Sequence, residues 1–216
     1  MNRPLQQING TPPLSHSTAQ LLEAATVVQL LTQHVRVLGA HQLSGLNLRQ
    51  ASRLLKRLHA LRMLSVRTVI VPPELPLAGP LFSWEPGTAP PTFDRLAWQL
   101  ASRWRGKPHR MLIAYATAET CYAVGSSFAG RAPRRTEVSH DLHVTAIYLK
   151  LVRENPERAR LWIHEDAIRA PSEVGQLIPD AMVGDTAIEF GGRYRAEKLR
   201  AIHRGHAIAG RSYELW

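Results

Sequence analysis

Among 216 residues there is a single cysteine, Cys121. No intramolecular disulfide can form, a zinc site built on cysteine thiolates is excluded, and a reducing compartment fits. Cys121 itself reads as a small buried hydrophobe. No stretch approaches the roughly 18 continuous apolar residues that a membrane-spanning helix needs. Residues 1–16 are polar around Thr11-Pro12-Pro13 and lack the apolar core of a signal peptide. These absences predict a cytoplasmic protein that stays off the membrane, with a disordered arm at 1–16. Phosphate-cradling glycine motifs are also missing in any strand-to-helix context, which argues against nucleotide hydrolysis. Ser126-Ser127 has no nucleophile-elbow framing. Lysine is scarce, four among 27 basic residues, so the chain relies on arginine for its charge.

That charge is large. The formal net charge is +10 and the pI is near 10.6, which implies a polyanionic partner, most simply nucleic acid, because clustered Arg and Lys gain from counterion release. An arginine-favouring composition would produce the same excess, so charge alone does not decide. The length allows two small domains, each with a core.

Patterning divides the chain. Ser17-Thr18 can cap a helix carrying Leu21, Leu22, Ala25, Val28 and Leu31. Gly39 breaks it, a short segment follows at 41–44, and 46–63 reads as a longer helix with Leu46, Ala51, Leu54, Leu55, Leu58 and Leu61 on one side. Arg49, Arg53, Lys56, Arg57 and Arg62 cover the others. Val66 to Val71 is strand-like, 72–80 is a proline-rich tip, and 81–84 reads as a returning strand. Helix, short helix, basic helix and two-stranded ribbon is the order of a winged helix-turn-helix, expected over 17–91. Its basic helix would contact phosphates or guanine edges of double-stranded DNA through Arg49, Arg53, Lys56 and Arg57, with Arg67 in the wing. A solvated helix face is the alternative. Residues 92–138 are expected to connect, with a helix at 93–104, an ambiguous apolar run at 111–124 and an Arg-rich loop at 125–135.

The second half, 139–216, begins with helical periodicity through Leu142, Ile147, Leu149 and Val152, then a strand at 160–165. Two short apolar runs next flank Gly184-Asp185, which is hairpin chemistry. Taking those two residues as the turn pairs Val183 with Thr186, Met182 with Ala187, Ala181 with Ile188 and Asp180 with Glu189. Opposed carboxylates on one face about 5 Å apart repel unless something positive intervenes, and a divalent cation is the natural candidate. A last helix at 193–209 would place Lys198 on one face with Tyr194 and Ile202. Helix, three strands and helix is the core order of a nuclease fold, so the fold class expected is α+β: a winged helix-turn-helix followed by a small restriction-endonuclease-like α/β domain.

Pro179-Asp180, then Glu189, then Lys198 resembles the PD-(D/E)XK nuclease core. With the upstream winged helix, Ser139-His140-Asp141-Leu142-His143-Val144, Leu161-Trp162-Ile163-His164-Glu165, Ile178-Pro179-Asp180-Ala181, Ile188-Glu189-Phe190 and Glu197-Lys198-Leu199, the chain resembles the replication-relaxation family, related to MOB-C type conjugative relaxases. The likeness covers 19–85 and 139–209. It implies a plasmid replication or mobilisation protein that binds duplex DNA, with Asp180 and Glu189 holding Mg²⁺ or Mn²⁺, Lys198 supporting the chemistry and Glu165 as a third acid. Other relaxosome or replication proteins are implied as partners, and a homodimer is left open. One departure stands out: the family lysine normally follows the second acid by two residues, where this chain has Gly191. Two functions therefore stay open, a metal-dependent DNA-nicking endonuclease and a non-catalytic DNA-binding regulator or accessory protein on a degenerate nuclease fold. Two His pairs, His140/His143 and His203/His206, have metal-ligand spacing, but with ten histidines in the chain such coincidences are expected. His140 near a helix start could instead approach a phosphate, and Tyr194 is the tyrosine nearest the acids.

Overall fold

Residues 16–169 and 177–216 are described by a computed structural model. The expected arm at 1–16 lies outside them except for His16, which opens α1 (His16–Gln33). From α1, Val27 and Leu31 enter the core, and the chain continues through β1 (Leu38–Gly39) and a 3₁₀ turn at Ala40–Gln42. Asn47 then starts α2 (Leu48–Ala60) with a reciprocal capping box. Its side chain accepts from the Gln50 amide at 3.0 Å while the Gln50 side chain accepts from the Asn47 amide at 2.9 Å, a device that contributes on the order of 1 kcal/mol. Ala51, Leu55 and Leu58 are buried and Arg49, Arg53, Lys56 and Arg57 are exposed, so most of the expected stripe is present, while Leu61, expected on the same side, follows the helix and is exposed.

β2 (Leu64–Val71) does not pair with residues 81–84. Its partner is β4 (His109–Ala116), antiparallel from Leu64↔Ala116 to Val71↔His109, and β1 lies on the other side of β4, giving the order β1-β4-β2. The ribbon expected to close at 84 instead closes after an excursion of residues 72–108. Within it, β3 (Phe82–Trp84) joins the edge of the other sheet, and α3 (Phe93–Ser102) packs on the last helix of the chain. The physical reason lies in the side chains. Trp84 is 6 % exposed among Leu96, Leu100, Leu199 and Tyr213, and burying a large aromatic there gains more than an edge position in a solvated wing would. Leu96 and Leu100 hold α3 in place, whereas Trp98 is 70 % exposed. Residues 92–138 are therefore part of both layers rather than a connector, and α4 (Ala118–Ala123) follows β4 directly.

The chain then forms α5 (Val138–Glu154), α6 (Pro156–Ala159), β5 (Trp162–His164), α7 (Glu165–Arg169), β6 (Ala181–Val183), β7 (Thr186–Glu189), α8 (Ala196–Ile208) and β8 (Ser212–Leu215). The second sheet runs β3-β8-β7-β6-β5, antiparallel throughout except for β7 and β8, which are parallel and joined over α8. Strand β8 was not expected from the sequence. Gly184 at φ +59° makes the tight β6–β7 turn available to the chain. α5 is buried along most of its length, and the Thr145 hydroxyl donates to the Val37 carbonyl at 2.5 Å, tying it to the approach to β1. One continuous core runs from Val35, Leu38 and Leu55 through Ala114 and Ile147 to Trp162, Ile188, Phe190 and Trp216. The architecture is mixed α and β, and no helix among the described residues is long and apolar enough to cross a membrane.

Candidate functional site

The β6–β7 hairpin has the counted register: Val183↔Thr186, Met182↔Ala187 and Ala181↔Ile188. One step outward from these pairs stand Asp180 and Glu189. The first carboxylate is pinned, because Asp180 Oδ2 accepts from the Phe190 amide at 2.7 Å and lies 3.1 Å from His140 Nε2. His140, in the first turn of α5, has its other ring nitrogen 3.5 Å from Asp141 Oδ1. Burial alone would lower the His140 pKa, but the Asp180 and Asp141 carboxylates outweigh it and hold the value well above the usual histidine range. An imidazolium thus sits between two aspartates.

Glu189 turns the other way. It is 5 % exposed, and Oε1 lies 2.9 Å from Nε2 of His206, which is fully buried on α8. Burial, reinforced by the Asp180 charge, pushes the Glu189 carboxyl well above its ordinary range, while burial brings His206 down to about 4. Burial thus disfavours the charged form of both members, which share one proton across the Glu189–His206 contact.

The third acid is occupied as well. Arg36, just before β1 and 7 % exposed, places its guanidinium among Glu165, Asp166 and Asp141. It grips Asp166 through Nη2 at 2.9 Å and Nε at 3.2 Å, reaches Asp141 at 3.5 Å and donates to Glu165 through Nη2. Burial opposes the charge of Arg36, but the bond to Asp166 and the neighbouring carboxylates raise its pKa further above an already high value. Among the acids of α5 and α7, Asp166 is held below the ordinary carboxylate range by the same contact, burial notwithstanding.

Lys198 is exposed on α8 with its amine 5.9 Å from the Tyr194 ring, close enough for its charge to favour ionisation of Glu189. Ile202 is buried beneath the same helix. Gly191, at the family lysine's position, has a structural cause. A Cβ there would lie 2.5 Å from Leu100 Cδ2 and 3.2 Å from Leu215 Cδ1, and its carbonyl accepts from Arg103 Nη2 at 2.7 Å. The α3 excursion fills the space through which a lysine would emerge.

Between these elements opens a cleft of about 960 Å³. Asp141, Glu165 and His140 lie along its inner wall; Arg131, Arg134, Arg193 and Lys198 bring positive charge, and Trp104, Phe190 and Tyr194 bring rings. Arg67, expected in a wing reaching for DNA, turns inward instead: Nη2 donates to the Pro133 carbonyl at 2.6 Å and the guanidinium lies 5.8 Å from the Tyr115 ring. It anchors the loop that carries Arg131 and Arg134.

The expected Mg²⁺ or Mn²⁺ does not fit this donor set. Glu189 is engaged by His206 in a buried contact that disfavours its charged form, Glu165 is engaged by Arg36, and Asp180 already accepts from a backbone amide and an imidazolium. Among the described residues no group of three or more His, Cys, Asp or Glu side chains is disposed to hold a metal ion. No family model, curated protein or solved structure matches the chain. The resemblance to the replication-relaxation family therefore rests on its short motifs.

Reasoning from the sequence named Asp180, Glu189, Glu165 and Lys198 together, but it missed Arg36 and, though it singled out His140 and His206 for their spacing, did not pair them with the acids they contact. A signal was present: opposed carboxylates demand positive charge, and His140 stands immediately before Asp141. Its Asp180 partner is 40 residues away in sequence, and helix spacing says nothing about such a pair.

Proposed function

We propose that the chain is a DNA-binding protein of plasmid or mobile-element replication or mobilisation, in which duplex DNA lies along α2 and the nuclease-like half serves binding rather than metal-dependent nicking. The observation that carries the binding reading is the exposed cationic face of α2, with Arg49, Arg53, Lys56 and Arg57 opposite a buried Ala51, Leu55 and Leu58 stripe. The surrounding topology is compatible with it: helix, strand, short helical turn and helix precede a sheet of order β1-β4-β2, in which a winged-helix reading would take its second ribbon strand from β4. In the other half, α5, β5, β6, β7 and α8 follow the helix, three strands and helix of a nuclease core. Against cleavage stand the engaged acids and the packed space at Gly191.

Replacing Arg49, Arg53 and Arg57 together by alanine tests the reading. Duplex affinity should fall and the dependence of log K on log salt should flatten by roughly two to three units, about one for each phosphate no longer neutralised. An unchanged slope removes α2 from the interface. On supercoiled plasmid with Mg²⁺ or Mn²⁺, wild type and Asp180→Ala should leave the DNA equally intact; nicking that disappears in Asp180→Ala would restore the nickase reading.

A further inference from the structure

The cleft offers a chemistry that α2 lacks. α2 presents charge without aromatic rings, as suits a duplex whose bases are stacked inside. The cleft combines charge with rings: the Arg193 guanidinium lies 5.7 Å from the centre of the Trp104 ring and the Lys198 amine 5.9 Å from that of Tyr194, and both rings, only partly buried, line the opening. Cations over aromatic faces along a groove are the means by which unpaired bases are stacked while their phosphates are neutralised. The volume, about 960 Å³, is that of a small-ligand site and suits a nucleotide or two of a single strand.

We propose that this cleft is a binding site for single-stranded nucleic acid, with the backbone on Arg131, Arg193 and Lys198 and a base stacked against Trp104 or Tyr194. The proposal extends the DNA-binding function above but occupies a different surface, so the two can fail separately. An unpaired strand here and a duplex on α2 would let one molecule hold both at a junction.

The test uses fluorescently labelled oligo-dC, oligo-dT and oligo-rC of equal length and a short duplex, titrated with the full chain. Arg131→Ala with Arg193→Ala changes two exposed side chains and should weaken oligo-dC binding about tenfold or more while leaving duplex affinity within twofold. The Arg49, Arg53, Arg57 triple variant should do the reverse. Because stacking on rings is tolerant of sequence, wild type should bind oligo-dC and oligo-dT within a few-fold of each other. Comparable affinity for oligo-rC would place RNA and DNA in the same site; much weaker oligo-rC binding would restrict it to DNA, and either outcome keeps the cleft. Equal loss of duplex and single-strand binding in the cleft variant, or no loss of either, overturns the proposal. Single-strand binding that persists in a protein with no duplex affinity would sink the α2 reading and leave the cleft standing.

Discussion

Replacing His140 by alanine removes the cation paired with Asp180, one of the two acids expected to hold a divalent metal. His140 is 28 % exposed, and its partners Asp180 and Asp141 are 13 % and 7 % exposed, so the interaction is screened little by solvent. A hydrogen bond to a charged group contributes about 1.5–3 kcal/mol, and stranding one member of a largely buried ion pair costs about 3–5 kcal/mol. A loss near 3 kcal/mol is expected, which for a domain of this size lowers Tm by roughly 6–12 °C. Without the imidazole, two aspartates face a vacated space with oxygen donors suited to Mg²⁺ or Mn²⁺. At about a hundred times its Kd the metal would return close to 2.7 kcal/mol. Thermal melts followed by circular dichroism should then show Mg²⁺ raising the Tm of His140→Ala and leaving wild type unmoved. Wild type gaining as much from Mg²⁺ as the variant would refute the argument, since the metal would then bind with His140 in place. Because the folded pKa of His140 is raised, its contribution is complete below the unfolded value near 6.5 and is lost as pH rises through the folded one. The gap between wild type and variant should therefore narrow on the alkaline side.

Arg36→Ala leaves Asp141, Glu165 and Asp166 without their shared guanidinium and should cost about 3–5 kcal/mol, read as a lower urea midpoint with an unchanged slope; a loss below about 1 kcal/mol would contradict the network. Gly191→Lys should be destabilised by about 1–3 kcal/mol because its Cβ meets Leu100, and it should not nick plasmid. Metal-dependent nicking by that variant would mean α3 is not the obstacle. The His164 pKa is depressed to about 4, by burial first, so it costs stability as pH falls from about 6.5 toward 4, on the order of 3 kcal/mol. The His206–Glu189 pair, in which one pKa is lowered and the other raised, adds little slope there. Urea midpoints should decline across that window; a flat profile would count against a buried neutral His164.

What could be read from the chain followed locality. The hairpin register was legible because a two-residue turn fixes its pairs by counting, and the stripes of α2 and α5 were legible because helical periodicity repeats every few residues. The partner of β2 was not. Residues 66–71 and 81–84 are both strand-like, and proximity favoured pairing them, but the burial of Trp84 in a core built by Tyr213 and Leu199 is settled more than a hundred residues later in the sequence. The same distance hid Arg36, whose acids stand 105 to 130 residues away. Carboxylates announced that a counter-charge was needed; only the fold showed that histidine and arginine supply it.

The excursion at 72–108 has a consequence for how this polypeptide is inherited and handled. A segment ending at 91 would carry α2 but lack β4, the middle strand of its own sheet, and a segment starting at 139 would lack β3 and α3, which cover Leu199 and Tyr213. Neither half is a cassette that recombination could move intact into another gene, and neither is a fragment to express alone. The two are laced like interlocked fingers, and a crossover at either seam would expose both cores at once.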